Sequence, residues 1–261
     1  MNSTPTLKRF YHLILNELVS NYKAILIAIG STFGILLIIN VASVSSYQEW
    51  NFNLVFYPLV LFIGGFIVSS MAYSDLSAKP RNIHYLTLPA SIAEKLLSKL
   101  LLTTVGYILI SLVLYELFSL IASGITNLFF GIGHPIFNPF HPLILKMIRI
   151  YIVTQSVIFF GSVYFKRLAL IKTILTLSGL GIALAILSGT IFRIVFSHYF
   201  KGFSFIGGPE FMQNFTFDPR MGTDIEKLFK ISSQILSIAF YWVMPIFFWV
   251  TSYFRLKETE V

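Results

Sequence analysis

Not one cysteine occurs in these 261 residues. That absence excludes a disulfide framework, a thiolate metal site, a thiol nucleophile and an iron–sulfur cluster. Charge is scarce as well. Only 11% of the residues are charged, where a water-soluble domain carries about a quarter. No G-x-x-x-x-G-K-[ST] run exists to cradle nucleotide phosphates, so any ATPase must be another chain. The five histidines, at 12, 84, 134, 141 and 198, show no i, i+4 pair and no carboxylate at metal-ligand spacing. His134 and His141 share a loop, but two ligands make a poor site. No serine, histidine and acid set stands out, and no span carries paired glutamates, so no enzyme, cofactor or metal is expected on this chain.

What fills the chain instead is apolar: 56% hydrophobic residues, 27 Phe and a mean hydropathy of +0.79. A helix crossing a hydrocarbon core about 30 Å thick needs roughly 20 apolar residues. That length recurs at 24–44, 54–73, 100–122, 148–165, 174–196 and 231–253, which predicts six transmembrane helices in one all-α polytopic membrane domain over 1–261. The net charge of +8 does not point to nucleic acid, because the basic residues flank apolar runs rather than cluster.

Residues 6–23 form a different pattern. Leu7, Tyr11, Ile14, Leu18 and Tyr22 share one helix side, and Lys8, His12, Asn16, Glu17 and Ser20 the other. Such a helix lies in the headgroup plane or packs on the protein's own loops; the interfacial position is the expectation. No small-residue cleavage site follows the next apolar run, which argues against a removable signal.

Lysine and arginine counts orient the spans. With the amino terminus inside, 12 of the 19 basic residues fall at inside ends and 7 at outside ends, which predicts both termini on the cytoplasmic face. The outside connections are uneven: 123–147 carries Pro135, Pro139 and Pro142, read as a turn-rich or re-entrant segment, and 197–230 is longer still.

One acid lies within a span. Glu116 in the third predicts an ion pair with Arg149 or Arg193 at comparable depth; a proton-relay or substrate-contact role and interfacial snorkelling are the other two readings. The inside segment Ser74 to Lys99, SDLSAKPRNIHYLTLPASIAEKLLSK, is the most loaded connection. Pro80 ends any helix continuing from the second span, and Pro89 followed by Ser91-x-x-Glu94 predicts a capped helix that carries Lys95 and Lys99 toward the headgroups. A short helix of this kind is a projecting knob or a plain interfacial elbow.

At Leu86 to Leu101, LTLPASIAEKLLSKLL, the chain resembles the ABC-2 type permeases, the membrane subunits of one class of ATP-binding-cassette exporters, and in particular a permease-like group of Bacteroidetes-type bacteria. The matching positions are Arg81, Leu88, Pro89, Ala90, Ser91, Glu94, Lys95 and Lys99. The resemblance implies that these residues include a cytoplasmic coupling helix docked on a separate ATPase, which carries the ATP and Mg. It implies two permease subunits, identical or different, in a bacterial inner membrane. It also implies that the second and fifth spans line the path between them. The fifth span suits close approach through Ser178, Gly179, Gly181, Ala183, Ala185, Ser188 and Gly189. The alternative is a non-transporting assembly or anchoring subunit that keeps the same architecture.

Overall fold

The computed structural model describes residues 7–43, 52–74, 90–131, 135–165, 168–196, 234–235 and 237–260. Among them every regular element is helical. In chain order these are α1 (Leu7–Ser43), α2 (Phe52–Met71), α3 (Ile92–Leu101), a π turn (Leu102–Gly106), α4 (Tyr107–Phe130), α5 (Pro142–Tyr164), α6 (Ala169–Phe196), a second π turn (Ala239–Val243) and α7 (Met244–Glu260). Five helical stretches among the described residues are long and apolar enough to cross a membrane. The chain is therefore an all-helical, multi-pass membrane protein; residues 231–233 and 236 of the sixth predicted span lie outside the described residues.

Several boundaries move from their sequence positions for identifiable reasons. The division at Lys23 and Ala24 is absent, because neither proline nor glycine interrupts the chain there and α1 runs on for 37 residues. At 1.5 Å per residue this is about 55 Å, well beyond a hydrocarbon core. The amphipathic segment is thus the first half of a helix that also holds the first span. The fourth span begins at Pro142 rather than 148, since Pro142 occupies the first turn, where its missing N–H costs nothing, and the His141 side chain caps the Leu143 N–H at 3.3 Å. The third span extends to Phe130 and stops on Gly131, whose φ of 66° suits a residue without a Cβ.

Helix α5 is the axis of the molecule. It packs along α2 on one side and α7 on another, with α6 folded back beside it. One core joins Leu36, Tyr57, Leu61, Tyr115, Phe118, Ile144 and Tyr151 from α1, α2, α4 and α5. A second, at the other end, joins Ala72, Tyr73, Leu96, Phe159, Val163 and Leu256. Leu256 near the carboxyl terminus and Lys99, which contacts Glu17 near the amino terminus, mark the same end of the bundle.

Candidate functional site

At that end the chain builds its densest set of buried charges. Ser91 opens α3 with a reciprocal capping box: the Ser91 N–H donates to Glu94 Oε2 at 2.7 Å, and the Glu94 N–H donates to Ser91 Oγ at 3.2 Å. Two otherwise orphaned donors are satisfied, so the start of α3 is rigid. Because α3 passes through the π turn into α4 without a break, a displacement at Ser91 is carried into the third span.

Lys99 is turned inward. Its ammonium donates to the Ala72 carbonyl just beyond α2, pairs with Glu17 of α1 at 3.2 Å and sits 5.3 Å from the centre of the Tyr73 ring. A cation at the carbonyl end of a helix offsets the negative end of its dipole, and a hydrogen bond to a charged group contributes about 1.5–3 kcal/mol. One side chain thereby ties α1, α2 and α3 together. Glu94 and Lys95 are as buried as Lys99, at 3, 3 and 5% exposure, so this helix turns much of its charge toward the protein rather than the headgroups. Leu96 continues the contact into the core with Phe159, Val163 and Leu256, which brings α5 and α7 into the same junction.

The residues singled out in the sequence are therefore only partly assembled. Ala90, Ser91, Glu94 and Lys95 stand together at the head of α3, and Lys99 lies in its last turn. Arg81, Leu88 and Pro89 lie outside the described residues. Glu116 is half-buried beside the inward stripe of α4, formed by Ser111, Tyr115, Phe118, Ser119, Ala122 and Thr126. Arg149 is exposed on α5, and among the described residues ion pairs join Lys99 to Glu17 and Arg255 to Glu258, but none joins Glu116 to Arg149. The side chain of Arg193 lies outside those described. His141 serves as a helix cap, and His134 is outside the described residues. Among the described residues no group of three or more His, Asp or Glu is arranged to hold a metal.

A second polar cluster, unmarked in the sequence reading, lies one turn deeper. The wide π turn directs the Tyr107 N–H to the Leu102 carbonyl five residues back, and such turns concentrate at functional sites. On the facing side of α5, Tyr151 OH donates to the Thr103 carbonyl at 3.0 Å, and Gln155 Nε2 donates to Thr103 Oγ1 at 3.1 Å. Tyr107 OH donates to the Val60 carbonyl of α2 at 2.9 Å. Gly64 and Gly65 make this possible, since a Cβ on the first would overlap the Tyr107 hydroxyl and one on the second the Tyr151 ring. The available signal was Tyr151 and Gln155 at i, i+4 in an apolar helix, opposite paired glycines.

No protein-family model, no curated protein and no solved structure matches the chain.

Proposed function

We propose that this chain is the membrane-spanning permease subunit of an ABC-2 type exporter, driven by a separate ATPase through the connection between its second and third spans. In this reading the Lys99 end faces the cytoplasm of a bacterial inner membrane, both termini lie there, and a second permease subunit completes the path. The observation that supports it most is mechanical. A capped helix, continuous with a span, is clamped through Lys99 to α1 and α2 and through Leu96 to α5 and α7. Pressure from an ATPase on the Ser91 end would reach four other helices without passing through a flexible joint. ATP binding closes the ATPase dimer, the head of α3 shifts, and the spans change tilt as rigid bodies.

The inward orientation of Glu94 and Lys99 favours a second reading, an assembly or anchoring subunit in which α3 is a self-contained elbow. Purification of the tagged protein in mild detergent separates the two. Under the exporter reading an ATPase accompanies it, and the turnover of that ATPase drops several-fold with Pro89→Gly or Ser91→Ala. Recovery without any ATPase favours the anchoring subunit. An accompanying ATPase whose turnover ignores both substitutions means that α3 is not the point of coupling.

A further inference from the structure

The opposite end of the bundle carries an inference independent of transport. Helix α1 is largely exposed along its length, and among its described residues Leu36 and Asn40 are the buried ones. It is unusual for one of the two anchoring positions of a membrane helix to be an amide. Asn40 is 4% exposed, and its Oδ1 accepts no hydrogen bond from any described residue. A buried amide oxygen left unpaired forfeits the hydration it had in water with nothing in return. A leucine there would pack against Leu36 and its neighbours at no such cost.

Asn40 lines a small pocket where α1, α2, α4 and the stretch before α5 converge. Asn53, Ser119 and Ser123 contribute its other polar side chains, and the space, about 10 Å³, fits one water. Two of those groups are already engaged in fixing the wall: Asn53 Nδ2 donates to the Pro135 carbonyl at 2.7 Å, and the Phe137 N–H donates to Ser119 Oγ at 2.8 Å. The Ser119 hydroxyl keeps its proton and a lone pair for a further partner.

We propose that this pocket binds a single structural water, which donates to Asn40 Oδ1 and bridges α1 to the Ser119 hydroxyl of α4. The site needs a hydrogen-bond donor to satisfy Oδ1, small size, and the ability to pair with hydroxyls at the same time. Water meets all three, and a lipid tail meets none. The bridge adds a polar tie to the apolar packing of Leu36 and Phe33 against the core at this end.

A structure of the full-length protein in detergent, at a resolution that shows ordered solvent, tests this directly. Compact density within hydrogen-bond reach of Asn40 Oδ1 is the expected result. A pocket without ordered density, or one filled by an acyl chain, overturns the proposal. Thermal unfolding supplies a second readout through Asn40→Val, a substitution close in volume. Loss of a water bridge lowers Tm by about 2–4 °C, whereas a Tm that holds or rises shows that the oxygen was unpaired and overturns it as well.

Discussion

Helices α5 and α6 are neighbours along the chain and in space, yet they have opposite environments. In the most apolar stretch of α5, 39% of the residues are buried within the protein, against 6% in α6, although α6 is the more apolar of the two. In water this order would be reversed. In a bilayer, hydrocarbon solvates leucine as well as a protein core does, so apolarity does not draw a helix inward. Burial goes to the helix with side chains that lipid cannot satisfy. Helix α5 has Tyr151, Gln155, Ser156 and Ser162 in its buried set, and α6 presents Leu175, Leu180, Ile182 and Leu187 outward.

Truncating one residue on each helix is the strongest way to break this contrast. Tyr151 is fully buried, and Tyr151→Ala leaves a cavity beside Phe62, Phe66 and Tyr107 while removing the donor to Thr103. Large aromatic truncations in cores cost about 3–5 kcal/mol. Ile182, at 63% exposure, has little to lose from the same change, and Ile182→Ala should stay within about 0.5 kcal/mol. Thermal unfolding in detergent measures both. Similar losses in the two variants would mean that α6 is packed far more firmly than its exposure indicates.

A smaller effect is expected where the two helices touch. Leu168 adopts a φ of 55° in the turn between them, and Gly161 lies so close to Thr173 that a Cβ would overlap the threonine side chain. Gly161→Val must push α6 away, at about 1–3 kcal/mol for overpacking. Because Thr173 Oγ1 is the atom in the way, Thr173→Ala in the same chain should recover part of the loss in Tm. Simple additivity of the two changes would place the contact elsewhere.

Five of the six expected spans and their order were legible because bilayer thickness imposes a length that apolar runs reveal directly. Their ends were less so. Pro142 reads as a breaker unless His141 is recognised as its cap, and the join between the amphipathic half of α1 and its span has no sequence mark because the helix does not stop. The capping box of α3 was visible as Ser91-x-x-Glu94, since it is local. Its clamp was hidden, because Glu17 and Ala72 are remote from Lys99 in sequence and a lysine beside a span normally reaches for headgroups. Glu116 shows the converse: depth along two spans matched it to Arg149, but depth does not tell which way each side chain faces.

The finest test concerns what covers α6. Among the described residues, a Cβ added at Gly179 or Gly181 would meet no atom within 4 Å outside the local backbone of α6, so Gly181→Leu should change stability by no more than about 0.5 kcal/mol. If the exporter reading holds, that exposed small-residue surface faces a second permease subunit, since close helix approach in membranes depends on small residues. The absence of cysteine makes the test clean, because a single Ser178→Cys has no competitor. Oxidation in native membranes should then link two copies through α6, and adding Gly181→Leu should abolish the link while Tm holds. A link that survives the leucine would place the contact on another face. No link at any small position along α6 would leave the helix facing lipid, and the path between subunits would have to run along α2 alone.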